Sequence, residues 1–279
     1  MRLASVRTPD GGAQAAVLDG ESWRGLPAED LSQLFRLPDW RAAAAEPGDA
    51  LPRAEPVNPV PSPGKVICCG LNYAEHIAEL GRELPKFPTL FAKFADTLTG
   101  PSDEIALPAD VDVDWEAELA VVVGRRLRGA CEREAREAIA GYTVANDISV
   151  RDWQARTLQW FQGKAWDRTT PVGPVVVTPD ELDPEAGVEV TCEVNGQRMQ
   201  QGNTRTLVFG ASALLAYISE FTVLRPGDLV LTGTPGGVGL GMTPPRFLRD
   251  GEVVRTSVDG IGTLQNTIRT QPTDRGEHS

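Results

Sequence analysis

Glu116 and Glu118 stand two residues apart, directly before an apolar run from Leu119 to Val123. Strand side chains alternate faces, so residues two apart share one. Read as one strand, Val111 to Gly124 aims both carboxylates the same way. Two like charges beside a buried run repel each other and lose hydration. They sit at a wet edge, or a cation lies between them. A third acid, Asp147, interrupts the otherwise apolar or small stretch from Tyr142 to Val150. A strand–helix–strand order would bring it beside the two glutamates. No histidine or cysteine lies near these acids in sequence, and hard oxygen ligands suit Mg²⁺, Mn²⁺ or Ca²⁺ better than zinc. An exposed acidic strand is the competing reading of the same residues.

Other residues carry chemistry at helical or loop spacing. His76 and Glu79, three apart on a helix expected from Ala74 to Leu80, share a face. A carboxylate there would orient the imidazole and raise its basicity, making a general-base pair; a plain helix-surface histidine is the alternative. The only other histidine is His278, in the polar tail. Lys93 lies inside a strand expected from Leu90 to Phe94. It either snorkels out or meets an anion, because lysine is seldom buried alone. Lys164 sits in an aromatic, glycine-broken stretch from Gln159 to Asp167. The loop from Gly233 to Gly239 lacks the lysine of a phosphate loop and opens no good helix, so its N–H groups better suit a carboxylate or an oxyanion. Gly81 to Pro88 is polar and proline-bearing, a lid or an inert surface turn.

These residues need elements to hold them. Leu3–Val6 and Gln14–Leu18 read as a hairpin across Pro9-Asp10-Gly11-Gly12. Leu31–Leu37 and Ala42–Ala45 read as short helices. Prolines then cluster from Pro47 to Pro63, the pattern of a linker laid along a surface. The division expected is a small α+β domain over 1–60, a main body over 61–270 and a frayed tail over 271–279. In the body, Lys65–Gly70 is a buried strand and Asn72 an N-cap for the His76 helix. Ala130–Ala140 is a charged helix, Pro171–Pro174 a turn, and Val175–Thr178 a strand. Val188–Val194 and Gln197–Gln200 form a hairpin on Asn195-Gly196, and Thr206–Phe221 is an amphipathic helix. Strands dominate, so the fold class is α+β and β-rich, a roll or sandwich with helices outside.

Composition excludes some partners. The 279 residues carry a net charge of −12, with a sequence pI near 4.7 and no basic run, which argues against nucleic acid. No apolar run approaches the roughly 20 residues of a membrane span. The N-terminus lacks an apolar signal core, and the expected location is the cytoplasm. Cys68, Cys69, Cys131 and Cys192 show no C-x-x-C spacing and read as free thiols.

Five short motifs, in order, resemble the fumarylacetoacetate hydrolase family. They are Gly70-Leu71-Asn72-Tyr73 with His76 and Glu79; Asp114-Trp115-Glu116-Ala117-Glu118; Asn146-Asp147-Ile148-Ser149 with Arg151-Asp152; Gln162-Gly163-Lys164; and Gly233-Thr234-Pro235 with Gly237-Val238-Gly239. The resemblance covers 64 to about 268 and points to the acylpyruvase or 2-hydroxyhepta-2,4-diene-1,7-dioate isomerase-like branch. It implies a mixed β-roll, a homodimer, and Mg²⁺ or Mn²⁺ held by Glu116, Glu118 and Asp147. It implies 2-oxo acid substrates that chelate the metal. His76 with Glu79 would activate water, Lys164 would stabilise negative charge, and Arg151, Thr234, Gly233, Gln162 and Lys93 would contact substrate. Two positions depart from the family pattern, Ala95-Asp96-Thr97 after Lys93-Phe94, and Ala165-Trp166-Asp167 after Lys164; the indole of Trp166 is expected to reshape the pocket. The activity expected is hydrolysis of a 2,4-dioxo acid (an acylpyruvate) to pyruvate and a carboxylic acid. Decarboxylation of an oxaloacetate-like acid, isomerisation of a 2-hydroxydienoate and a catalytically silent binding role are the alternatives.

Overall fold

Side chains along Ala117–Val123 alternate between two cores, and the chain is layered around that strand. Leu119, Val121 and Val123 pack into one core, while Ala120 and Val122 pack into the other. A strand buried on both faces is apolar throughout, which is why Leu119 to Val123 reads as a continuous run. The computed structural model describes residues 1–79 and 83–272, without the side chains of His76, Ala78 and Glu79.

Among the described residues the strands form an α+β, strand-rich fold with two main sheets. The larger sheet runs in the order Ser22–Gly25, Ala13–Asp19, Arg2–Arg7, Thr170–Val177, Ile139–Asn146, Ala117–Val123, Leu229–Leu231, Val66–Gly70, Thr89–Lys93. The smaller sheet has five strands, Gln197–Asn203, Glu189–Val194, Val253–Val258, Gly262–Gln271 and Ile105–Pro108. Its inward residues Val190, Val194, Val254, Val258 and Leu264 share the core of Leu119 and Val121, as does the buried face of helix Ala211–Phe221.

The first 60 residues cover the opposite face. Arg2 and Leu3 pair with Val177 and Val176, so the N-terminal hairpin extends the large sheet. Helices Leu31–Leu34 and Trp40–Ala45 are capped by the side chains of Asp30 and Asp39. They lay Leu31, Leu34, Phe35 and Trp40 into the core of Ala120, Val122 and Val176.

Several local expectations change: the helix expected over Ala130–Ala140 is Glu132–Glu137, with Ile139 and Ala140 already in the next strand, and that strand ends at Asn146 rather than Val150. Val111 to Gly124 is not one strand: Val113–Asp114 and Ala117–Val123 are separate. The backbone turns aside between them because side chains take its N–H groups. Asp114 accepts from Trp115 N at 2.8 Å, and Asn146 accepts from Glu116 N at 2.9 Å. Pro171 to Pro174 lies inside the strand Thr170–Val177 rather than in a turn. The ladder shifts register there, between Tyr142 and Val144, which is where residues without an N–H are tolerated. Asn72 is no helix cap: fully buried, it donates to Phe209 O and Thr232 O at 2.9 and 2.8 Å and accepts from Phe209 N at 2.9 Å. The helix expected from Thr206 starts at Ala211, with Thr204–Thr206 forming a separate single turn. The Asn195-Gly196 hairpin forms as expected, both residues at positive φ of 50° and 79°.

Candidate metal centre and substrate cavity

The site lies where three neighbouring strands of the large sheet end. Ala117 pairs with Asn146, so Asp147 emerges beside Glu116, whose carbonyl accepts its N–H at 2.9 Å. Ala120 pairs with Leu231, which brings Gly233 level with Glu118, and Gly233 N donates to Glu118 Oε2 at 2.6 Å. One oxygen each of Glu116, Glu118 and Asp147 lies within 4.8 Å of the others. Glu116 converges although it stands in the break before the strand, not on the shared strand face that its spacing suggests.

Three cations surround these acids. Lys164 Nζ lies 2.8 Å from both Glu116 Oε2 and Asp147 Oδ2. Lys93 Nζ donates to Asp147 Oδ1, and Arg151 Nη1 lies 2.8 Å from Glu116 Oε1. Burial favours the neutral form of Asp147, but Lys164 and Lys93 outweigh it and hold the carboxyl below its ordinary value. Burial also opposes the charge of Lys164, but Asp147 and Glu116 outweigh it, so Lys164 stays a protonated donor. Glu118 differs. Burial, then repulsion from Asp147 and Glu116, hold its carboxyl well above the usual range.

With Asp114 included, four carboxyl groups face three cations, and among the described residues Glu118 is the one that no lysine or arginine pairs with. The donor set is all carboxylate oxygen, and its least compensated member is buried. Those features fit a hard divalent ion such as Mg²⁺ or Mn²⁺.

Supporting contacts explain why these side chains sit where they do. Gly163 carries no Cβ, which would lie 2.5 Å from both Val150 O and Gln154 Cβ. The short helix Phe161–Lys164 can therefore press against Arg151–Gln154 and turn Lys164 inward. Asp114, completely buried, accepts from Gly239 N at 2.7 Å, Leu240 N at 3.0 Å and Arg151 Nε at 2.8 Å. Gln200 accepts from Ala117 N at 2.9 Å and donates to Thr234 Oγ1 and Pro235 O at 2.8 Å. The glycine-rich loop thus spends N–H groups on the protein's own carboxylates, Glu118 and Asp114. Gly233, expected to offer its N–H to substrate, gives it to Glu118.

A cavity of about 500 Å³ opens beside the carboxylates, its lining including the polar Glu116, Arg151, Lys164 and Thr234 and the apolar Leu71, Phe91, Trp160 and Leu240. Leu71 is held at a φ of 55°, a left-handed conformation costing a leucine about 1–2 kcal/mol. Gln162 is exposed and outside this lining; its carbonyl accepts from Trp166 Nε1 at 2.9 Å. Trp166 does not reshape the cavity either: it stacks edge-on against Trp153, centroids 5.2 Å apart. The indole in the wall is that of Trp160. The side chains of His76 and Glu79 lie outside the described residues, as do residues 81 and 82 of the segment read as a lid or a surface turn. Asp114, Gln200, Asn146 and Trp160 were not singled out from the sequence. Asp114 and Asn146 at least stand inside the motifs that were; nothing local marks Gln200.

Two sheets thus carry a three-carboxylate cluster beside a mostly apolar cavity. Residues 65–269 match the family model for the fumarylacetoacetate hydrolase C-terminal domain, and the chain belongs to that family. It is 44% identical over 213 residues to the mitochondrial oxaloacetate tautomerase fahd2 of Xenopus laevis, covering 75% of this chain and 67% of that one. Among solved structures it is similar to the fumarylacetoacetate hydrolase of the psychrophile Exiguobacterium antarcticum, with TM-score 0.87, 33% identity and coverage of 97% and 100%. It is also similar to the 5-carboxymethyl-2-hydroxymuconate delta-isomerase of Mycobacterium smegmatis, with TM-score 0.81, 35% identity and coverage of 97% and 99%. No described helix is long and apolar enough to cross a membrane.

Proposed function

We propose that this chain acts on 2-oxo acids through their enol form, and that its substrate is a 2,4-dioxo acid cleaved between C3 and C4. The observation that carries this is the three-carboxylate cluster, braced by Lys164 and Arg151, opening onto a cavity with a mostly apolar lining. A divalent ion held by Glu116, Glu118 and Asp147 would supply Lewis-acid polarisation of the substrate's 2-oxo group. Arg151 orients the anionic head, and Thr234, fixed by Gln200, adds a hydroxyl donor. His76, assisted by Glu79, removes a proton from water as its oxygen adds to the C4 carbonyl. The C3–C4 bond then breaks, and its electron pair passes to C3 as the enolate of pyruvate. Lys164, kept protonated by its carboxylate neighbours, opposes the developing negative charge. Protonation at C3 completes pyruvate, and C4 leaves as a carboxylic acid. The protein works in this proposal as a cytoplasmic homodimer.

A second reading is keto–enol tautomerisation of oxaloacetate, favoured by the name and 44% identity of the Xenopus relative. It uses the same head-group contacts and no attacking water. Purified protein with Mg²⁺ is offered acylpyruvates and oxaloacetate. Stoichiometric pyruvate and carboxylic acid from an acylpyruvate, lost in His76→Ala, support hydrolysis. Faster relaxation of the oxaloacetate enol absorbance without acylpyruvate cleavage would select tautomerisation instead.

A further inference from the structure

The polar and apolar parts of the cavity lining meet at Phe91. Lys164 Nζ lies 5.4 Å from its ring centroid. Trp160 packs edge-on against the same ring, centroids 5.6 Å apart at 75°. The apolar wall therefore begins about one ring's width from the ammonium that bridges Glu116 and Asp147. A short diacid anchored at those carboxylates would put its second charge against this wall, where it would lose hydration without a described cation to meet it.

An absent side chain seats the indole. A Cβ on Gly70 would lie 2.4 Å from Trp160 Cζ3 and 2.9 Å from Cη2, closer than any real contact. Gly70 ends the strand Val66–Gly70, so Trp160 rests against the rigid sheet itself. Its neighbour Leu158 is 98% exposed; Trp160 is the residue of this turn that faces inward.

We propose that Trp160, seated on Gly70, is a specificity-determining residue, and that with Phe91 it binds an apolar, ring-sized tail on the substrate. This rests on the reading of the site as one for 2-oxo acids anchored at the three carboxylates. It goes further by naming the substituent: aryl or branched alkyl, not a second carboxylate.

Calorimetry on the Mg²⁺-loaded protein with pyruvate and phenylpyruvate tests it. The wild type is expected to bind phenylpyruvate at least about tenfold more tightly than pyruvate. Trp160→Ala brings that ratio towards one, Trp160→Phe keeps most of it, and Gly70→Ala, which pushes the indole off its seat, lowers it in an otherwise unchanged aromatic set. Equal binding of both acids by the wild type, or a wild-type ratio in folded Trp160→Ala, overturns the proposal. If Trp160→Ala does not fold, a wild-type ratio in Gly70→Ala overturns it instead. Binding of neither acid overturns the 2-oxo acid reading and this one with it, whereas a tail preference in a protein that cleaves no acylpyruvate overturns hydrolysis alone.

Discussion

Gly233 N donates to Glu118 Oε2 at 2.6 Å. Among the described residues no lysine or arginine forms an ion pair with Glu118, although Lys164, Lys93 and Arg151 all engage its two neighbours. The charge of Lys164 and this backbone N–H are set against burial and two nearby like charges, and they do not compensate them, so Glu118 stays raised.

Glu118→Gln should therefore separate function from stability. Mn²⁺ or Mg²⁺ affinity, by calorimetry, should fall by at least about 100-fold. Melting of the chelator-treated protein should move upward, by roughly 2–4 °C per kcal/mol of repulsion relieved. The pH dependence has a defined sign. A carboxyl raised in the folded state holds a proton that the unfolded chain releases, so stability falls as pH rises from the ordinary glutamate range through the raised value. That slope should flatten in Glu118→Gln without metal.

Asp114 binds Arg151 and the Gly239–Leu240 backbone together. Asp114→Ala leaves Arg151 with Glu116 as its one paired carboxylate among the described residues and strips the Gly239 and Leu240 N–H groups of their acceptor, at a cost of about 3–5 kcal/mol in urea unfolding. In the folded fraction the KM should rise, because Arg151 and the Leu240 wall lose one common anchor.

Gln200→Ala removes the support of Thr234 while leaving the three carboxylates in place. The expected signature is a raised KM with kcat less affected, and a stability loss of about 1–3 kcal/mol from buried groups left unpaired. Equal falls in kcat and kcat/KM would assign Thr234 to the transition state instead.

The thiols should divide cleanly. Cys131 is exposed, and Cys68, Cys69 and Cys192 are buried. Burial, with repulsion from Glu118, pushes the Cys69 thiol up to about 12, so it stays protonated at neutral pH although it borders the cavity. Native labelling with a thiol reagent should modify Cys131 alone by mass spectrometry, and all four thiols should react after denaturation.

Phe35 is 1% exposed and stacks on Trp40 at 5.0 Å, beneath the large sheet. Phe35→Ala should cost about 3–5 kcal/mol. A single cooperative unfolding transition carrying that loss would tie the first 60 residues to the stability of the body; two transitions would separate them.

Most strands and helices are legible in the sequence because they rest on local signals. These are the Pro9–Gly12 turn, the Asn195-Gly196 hairpin, and the apolar run after Glu118. The three acids are legible for a related reason: carboxylates next to apolar strands are costly enough to need a cause. The order of the five motifs marks the family. What a sequence states about a residue concerns its near neighbours, however, and the supporting contacts are distant. Asp114 meets Gly239, Gln200 meets Ala117, and Gly70 meets Trp160.

The sequence by itself determined the kinds of ligand atom, the approximate elements and the family. The tertiary structure decided how they combine. It put Glu116 into the break between two strands rather than on a shared strand face. It spent the glycine loop's N–H groups on Asp114 and Glu118, and placed Trp160, not Trp166, in the cavity wall. The physical reason is register. Strand pairings such as Ala117 with Asn146 and Ala120 with Leu231 bring distant segments level, and only when those pairings are fixed do buried groups such as the Gly233 N–H and Asp147 meet their partners.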